Sequence, residues 1–420
     1  VQGCPRADRV HQGCQGREIM RSRKSKGIIL AAGFILLLFV GIVYAWSILS
    51  VPLSEEYHWN SRQLSLNFTV MMSFFCLSGI VSGKFCTKTG RTAYSLAIAG
   101  VLICIGFIGT AYCTNGHIVR LYLFYGICIG TGAGFAYNSI VSAVTAWYSA
   151  SGRGKVTGVL MMGFSISTLV MGSVIDSIIS RGTFRWQSVF AAYGVITCAI
   201  LLCGIWIIRF PYKSDSVETV KADGKKPSEM LRTPSFYIVF LYAVAGSVVG
   251  CGVIAQAKQI ALNSGTNYSI ATFCVGMLAV SNGLGRIVSG AVYDKRGQKA
   301  AMLLPVGILA LGLAMLLIAL QYEFPYLAMV GLTLIGFTYG CMPSICATFV
   351  ADKFSSMYYA ANLSLINLTM LLSSFSSVIS GTLYAKSGSF LSVLILYSIS
   401  WGIMLTLYVV GKNMYKQGLS

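Results

Sequence analysis

The chain has 420 residues, of which 56% are hydrophobic and only 10% are charged. So large an apolar fraction excludes an ordinary soluble domain or enzyme. The net charge of +19 raises the alternative of nucleic-acid binding, but the positions of the basic residues argue against it.

Taken in chain order, twelve apolar segments are long enough to cross a bilayer as helices, which needs roughly 20 residues each. They are 27–50, 63–83, 93–113, 118–147, 155–180, 186–208, 235–261, 268–290, 299–320, 325–350, 358–384 and 389–411. Six precede the hydrophilic stretch 209–232 and six follow it. The sequence therefore predicts an all-α membrane protein with two pseudo-symmetric six-helix bundles.

The same pattern predicts five parts of the chain. They are an N-terminal tail at 1–26, a bundle at 27–208, a linker at 209–234, a second bundle at 235–411 and a C-terminal tail at 412–420. Residues 1–19 precede Met20 and are expected to be an upstream extension with no functional role.

The basic residues are distributed unequally between the two sides of the membrane. Of the 31 lysines and arginines, 24 lie on the side that holds both termini and the 209–232 loop, and five lie on the other. Such an excess is typical of cytoplasmic loops. We therefore expect both termini in the cytoplasm, and a bacterial cell membrane as the location. The lipid bilayer, not nucleic acid, accounts for the charge.

Two short stretches repeat one spacing of glycines and basic residues. They are 83–91 and 290–299; they start 207 positions apart, and each joins two apolar segments. The repeat indicates two copies of one membrane unit. Repeats built from apolar spans are typical of secondary transporters, in which the binding site lies between the halves.

Other residues argue against an enzyme, a cofactor or a metal centre. The thirteen cysteines lie mostly within spans and lack metal-ligand spacing. All three histidines, His11, His58 and His117, lie outside the predicted spans, and the sequence contains no ATP-binding loop. A membrane enzyme would need a histidine or carboxylate constellation at membrane depth.

Arg286 is a candidate substrate-binding residue. An arginine within a span costs roughly 2.5 to 3.5 kcal/mol, so it normally faces a cavity or a partner. Its planar fork of donors matches a carboxylate. Asn282 lies one helical turn earlier on the same face and could add an amide donor. The residues alone leave open that Arg286 snorkels to the headgroups or pairs with Asp176.

Two further charged residues fall within predicted spans. Lys258 lies near the external end of its helix, where snorkelling is the simpler interpretation. Asp176 is the only carboxylate deep in a span. It is a candidate for proton coupling or for pairing with Arg286, although a place at the external interface fits equally well.

The repeated loop is similar to the signature of the major facilitator superfamily. Within the superfamily, further stretches resemble the oxalate/formate antiporter family, in the same order along nearly the whole chain after Met20. They are Gly-Ile-Val-Tyr-Ala-Trp at 41–46 with Pro52, Gly-Thr-Gly-Ala-Gly-Phe-Ala-Tyr-Asn at 130–138, Arg-Phe-Pro at 209–211, Glu-Met-Leu-Arg-Thr-Pro-Ser-Phe at 229–236 and Asn-Gly-Leu-Gly-Arg at 282–286.

This resemblance implies roles for individual residues. The family uses an arginine at the position of Arg286 to bind substrate carboxylate. Aromatic side chains wall the central cavity in such transporters, and the residues that match are Tyr44, Trp46, Tyr137 and Tyr339.

The resemblance also implies a gating role for the repeated loop. Its acidic residue caps the following helix and pairs with a basic group in the outward-open state. Asp294 fills that position in the second copy, whereas the first copy has Thr87, which puts its locking role in doubt. The residues expected to take part in gating are Gly83, Gly90, Arg91, Gly290, Asp294, Arg296 and Gly297.

The eleventh span departs from the family pattern. Dicarboxylate carriers of the family have a lysine there, whereas this chain has no cation, and the expected position falls at Thr369 or Met370, after Asn367. A second buried anion would lack a partner. The substrate is therefore expected to be a monocarboxylate such as lactate or formate, bound by residues that include Thr369 and Asn367.

The resulting prediction is a transporter that works by alternating access, as a monomer without a cofactor. It would move a small organic anion, coupled to protons or to exchange for another anion. A larger amphipathic anion such as a conjugated bile salt stays open as substrate. A non-transporting membrane sensor of carboxylates is the alternative from another class.

Overall fold

The structure is a computed structural model that describes residues 26–89, 92–148, 150–208, 226–354 and 358–416. Over these ranges it is helical, without strands, which confirms the predicted all-α membrane fold. The spans are α1 Lys26–Tyr57, α2 Ser61–Gly83, α3 Ala93–Tyr112, α4 Ile118–Thr145, α5 Val156–Ser180, α6 Trp186–Ile207, α7 Pro234–Leu262, α8 and α9 within Tyr268–Tyr322, α10 Pro325–Phe354, α11 Asn362–Ser387 and α12 Leu391–Asn413.

Several helix ends differ from the prediction; the helix that contains α2, for example, continues to Thr89 instead of ending at 83. Helix α1 was expected to end at 50, but it continues through Pro52 to Tyr57. Helix α8 was expected to end at 290, but the chain stays helical until Gly297, where φ is 77° and ψ is 176°. Glycine adopts this positive φ without a steric penalty. The break between α8 and α9 therefore falls at the last glycine of the repeated pattern.

Alternate spans cross the membrane in opposite directions, which places both repeated loops on one side. An even number of spans separates the end of α2 from the end of α8. The start of α1 and the end of α12 lie on that side too. We call it the loop side and the opposite one the far side. The predicted linker at 209–234 lies largely outside the described residues.

Glycines allow equivalent helices of the two halves to approach closely. A side chain at Gly134 in α4 would collide with the backbone oxygen of Phe75 in α2. A side chain at Gly340 in α10 would collide with the backbone oxygen of Asn282 in α8. Small residues are the usual means of close helix contact in membranes. The pair α2 and α4 thus corresponds to the pair α8 and α10.

The two halves meet on the far side through hydroxyl groups. Thr69 Oγ1 in α2 donates to the backbone oxygen of Ser374 in α11 at 2.8 Å. Ser377 Oγ donates to the backbone oxygen of Ser65 at 3.1 Å. Gln256 Nε2 in α7 lies 3.4 Å from Ser65 Oγ. These bonds hold α2 against α11 and α7 in the half of the molecule away from the repeated loops.

Candidate functional site

A narrow cavity that is open to solvent lies between the two halves. Along α2 its wall begins at Phe75, beyond the far-side contacts of Ser65 and Thr69, so the cavity lies toward the loop side. The residues that line it are Tyr44, Phe75, Cys76, Gly79, Ile80, Tyr137, Asn138, Phe164, Arg286, Pro343, Ser364, Asn367 and Met370.

Arg286 is the one charged residue among these lining residues. Its side chain is 3% exposed, and its Nε donates to Asn282 Oδ1 at 3.2 Å. The Tyr137 hydroxyl is a further neighbour of the guanidinium group. Within the described ranges, no carboxylate forms an ion pair with Arg286. The cavity therefore contains a buried cation to which the described part of the chain supplies no counterion.

Four aromatic rings form the wall contributed by the N-terminal half. Tyr137 lies 5.1 Å from Phe164 and 5.5 Å from Phe75, measured between ring centroids. Tyr44 lies 5.2 Å from Phe164, at nearly right angles to it. Edge-to-face contacts of this kind add stability beyond the buried area. The wall presents apolar faces together with two hydroxyl groups to a ligand held at Arg286.

Polar residues of α4 and α11 also line the cavity. Asn138 Nδ2 donates to the backbone oxygen of Gly134 at 3.2 Å. It occupies space beside Gly79, where a side chain would collide with the amide. Ser364 and Asn367 belong to α11, which is interrupted at Asn367. Their hydroxyl and amide groups give a bound molecule hydrogen-bonding partners besides Arg286.

Several residues predicted for the site do come together. Arg286, Tyr44, Tyr137 and Asn367 line the cavity. Asn282 lies behind Arg286, and its carbonyl oxygen accepts a bond from the guanidinium, instead of offering its amide to a ligand. Tyr339 lies behind Tyr44, with 3.3 Å between the hydroxyl oxygens. These two residues position the groups that face the cavity.

The structure places Trp46 and Thr369 outside the cavity lining. Trp46 is fully buried; its Nε1 donates to the backbone oxygen of Leu64 at 3.0 Å, and its ring centroid lies 4.5 Å from that of Tyr125. Trp46 thus joins α1, α2 and α4. Of the two α11 positions considered for a second cation, Met370 lines the cavity and Thr369 does not.

Sequence reasoning missed eight lining residues: Phe75, Cys76, Gly79, Ile80, Asn138, Phe164, Pro343 and Ser364. For Asn138 a signal existed, because this residue ends the glycine-rich motif of α4. The others are apolar or small residues whose place depends on the packing of helices distant in sequence.

Asp176 and Lys258 form an ion pair on the far side, with 2.9 Å between Nζ and Oδ1. Pairing of Asp176 with Arg286 was one prediction, and it is wrong. The interpretation that Lys258 snorkels is also wrong, because this side chain is only 1% exposed. The partner in the other half allows the lysine to stay buried. Asp176 as a proton-coupling group stays a prediction.

The predicted gating residues lie in different surroundings. Gly290 in α8 approaches Ser344 in α10, and Gly83 in α2 approaches Ser364 in α11. Asp294 and Arg296 are exposed. Asp294 lies in the helical segment before Gly297. It therefore does not cap α9, and it makes no side-chain bond to the described residues.

The structure leaves two predicted gating residues without description. Gly90 and Arg91 lie outside the described residues.

Over the described ranges, no group of histidine, cysteine, aspartate and glutamate side chains could hold a metal ion.

Comparison with known proteins identifies the family. The sequence model of the Major Facilitator Superfamily matches residues 29–378. The chain belongs to this superfamily. It is 23% identical over 354 residues to an uncharacterised MFS-type transporter, YhjX, of Escherichia coli, over 82% of this chain and 85% of that protein. It is also 23% identical over 260 residues to monocarboxylate transporter 12 of Mus musculus, over 54% of this chain and 51% of that protein.

Solved structures of the superfamily have the same fold. The xylose transporter XylE of E. coli, in a partially occluded inward-open conformation, superposes with a TM-score of 0.71 at 15% identity, covering 94% of this chain and 98% of that chain. A bacterial homologue of the lysosomal transporter Spinster gives 0.67 at 15% identity, covering 92% and 96%. The protein is therefore a major facilitator transporter and not an enzyme.

Proposed function

We propose that this transporter carries small organic monocarboxylates, of the lactate or formate kind, by alternating access. The observation that carries the proposal is Arg286, a buried cation in the cavity wall without a carboxylate partner. A buried charge is costly unless paired. A planar guanidinium matches a carboxylate, which it can bind through two parallel hydrogen bonds.

The cavity lining favours one negative charge over two. Arg286 is its single cation, and its other polar groups, on Asn138, Ser364, Asn367 and the two tyrosines, are uncharged. An anion buried there without a partner would lose its hydration without compensation. The aromatic wall suits a short apolar body beside the carboxylate. We further propose that the chain is a monocarboxylate member of the oxalate/formate antiporter family, which its sequence resembles.

The unpaired arginine favours anion exchange over net transport. During the return step, an empty cavity would have to enclose Arg286 without a counterion, which is costly in a low dielectric. A bound carboxylate removes this cost in both directions. If the loop side is cytoplasmic, as the basic residues predict, the cavity faces the cytoplasm here. The far-side hydroxyl contacts between α2 and α11 then close the external side.

The test is uptake of radiolabelled lactate into proteoliposomes that contain purified protein. We expect Arg286→Gln to lower uptake roughly 100-fold, since losing one partner of a buried charged pair costs about 2–5 kcal/mol. Arg62→Gln is the matched control, because Arg62 is exposed at the start of α2 and has no predicted role in binding or gating. Normal uptake by Arg286→Gln would refute the proposed role.

Competition assays with the same proteoliposomes decide the substrate class. Formate and lactate should compete with the label, and oxalate should compete poorly. Strong competition by taurocholate would instead indicate the larger amphipathic anion. Uptake that requires an anion inside the vesicle, with no effect of a proton gradient, supports exchange.

A further inference from the structure

The far side contains a second group of residues arranged around a carboxylate. Lys258 in α7 donates to Asp176 Oδ1 at 2.9 Å. Thr272 in α8 donates from Oγ1 to Asp176 Oδ2 at 3.0 Å. Lys258 Nζ also lies 3.5 Å from the centroid of the Tyr268 ring, close enough for a cation–π interaction. Both oxygens of this carboxylate are therefore bound by the protein.

The charges at this group are divided between the two halves of the molecule. Lys258, Tyr268 and Thr272 belong to α7 and α8, in the C-terminal half, whereas Asp176 belongs to α5 in the N-terminal half. Glu55 in α1 also acts on Lys258 from the N-terminal half. The cation and the hydroxyl donor are thus in one half, and the nearby carboxylates are in the other.

Solvent reaches the group from the far side. A second cavity, of about 780 Å³ counting space continuous with solvent, is lined there by Asp176, Tyr268, Glu55 and Ser180, with apolar residues around them. The Asp176 side chain is 14% exposed, against 1% for Lys258. A small anion that displaced the Asp176 carboxylate would therefore reach Lys258 from this side.

Alternating access requires the halves to separate on the far side. Asp176 and Glu55 then move away with the N-terminal half, while Lys258, Tyr268 and Thr272 stay together. Lys258 then loses its counterion, and Thr272 loses the acceptor of its hydroxyl group. A carboxylate from the medium that binds to Lys258 and Thr272 in place of Asp176 restores both interactions.

We propose that Lys258, Thr272 and Tyr268 form a second carboxylate subsite, which Asp176 occupies in this state and an external carboxylate occupies when the far side opens. That the external anion is the transported substrate rests on the proposed function. When the far side closes, Asp176 returns to Lys258 and displaces the anion toward Arg286. Asp176 thus serves as an internal competitor for the substrate.

Chemical rescue tests the subsite without reference to transport. The variants carry Arg286→Gln, so that the central cavity no longer contributes a cation, and acetate is the probe. In Arg286→Gln/Asp176→Ala, acetate should raise the melting temperature by a few degrees in a concentration-dependent manner, since a ligand of the folded state stabilises it. Sodium chloride at equal ionic strength should not.

The matched control is Arg286→Gln/Asp176→Ala/Lys258→Gln, which lacks the cation and should show no response to acetate. An equal response of the two variants, or no response of either, would overturn the subsite. If the Asp176→Ala protein aggregates without acetate, the readout is its monodispersity by size-exclusion chromatography. Recovery by acetate only when Lys258 is present supports the subsite, and failure to recover overturns it.

Transport assays then show whether substrate uses the subsite. In intact cells, Lys258→Gln should raise the KM for external lactate about tenfold, while inside-out vesicles should keep the KM of the unmodified protein. Equal changes on both sides would contradict a role for Lys258 in external binding. If the unmodified protein does not transport lactate, the proposed function fails, whereas the acetate experiment still decides the subsite.

Discussion

Two cations, Arg286 and Lys258, are buried in the part of this transporter that the structure describes, and their surroundings differ. Arg286 and Lys258 are 3% and 1% exposed. Lys258 has a carboxylate partner, Asp176, supplied by the other half. Arg286 instead contacts the Asn282 amide and the Tyr137 hydroxyl, and it lines the cavity. A buried charge is costly without a counterion. The Lys258–Asp176 ion pair therefore holds the two halves together on the far side, whereas Arg286 is free to take its counterion from a ligand.

The largest expected effect is a difference in stability between a variant that removes the partner of Lys258 and a variant that removes Arg286. Asp176→Asn leaves Lys258 buried without a carboxylate and should lower the free energy of unfolding by about 3–5 kcal/mol. Arg286→Gln removes a charge that has no protein counterion, so its stability should equal or exceed that of the unmodified protein. Thermal unfolding in detergent without carboxylates measures both. A destabilised Arg286→Gln protein would mean that Arg286 is paired after all.

A second cation placed in the cavity should change the preferred charge of the substrate. Met370 lines the cavity, so Met370→Lys should improve oxalate uptake relative to lactate at least about tenfold, since a close charge pair contributes about 1.5 kcal/mol or more and about 1.4 kcal/mol corresponds to a factor of ten. Thr369→Lys is the matched control and should not produce this change, because Thr369 lies outside the lining. The reverse outcome would mean that α11 rotates between states.

The smallest expected effects distinguish a residue outside the cavity, Trp46, from a residue that lines it, Tyr44. Trp46→Phe loses the hydrogen bond to Leu64 and should cost about 1 kcal/mol of stability, with the KM for lactate unchanged. Tyr44→Phe removes a hydroxyl beside the cavity and should raise that KM a few-fold. Thermal unfolding and uptake measured on both variants check the pair. A raised KM in Trp46→Phe would extend the site to Trp46.

The number of spans was predictable from sequence because length and hydropathy act locally. A helix in lipid satisfies its own backbone, so each apolar segment of sufficient length forms one. The errors lie at helix ends: α1 continues past Pro52, and α8 continues to Gly297. The stops coincide with a positive φ at His58 after α1 and at Gly297 after α8, which hydropathy alone does not predict.

The site was predictable where a residue was chemically unusual. Arg286 stood out because arginine is costly within a span, and Tyr44 and Tyr137 followed from the family resemblance. Trp46 matched the same motif but faces α2 and α4. Phe75 and Phe164 gave no signal, since phenylalanine is ordinary in any span.

The amino-acid sequence alone determined the membrane class, the repeat and the residue of greatest interest, because these depend on composition and on positions close together in the chain. The partner of each buried cation was decided by the tertiary structure. Asp176 and Lys258 are 82 positions apart. From the sequence alone, Arg286 was an equally plausible partner for Asp176. Pairing of charges depends on which helix faces meet, and that follows from the packing of the two halves.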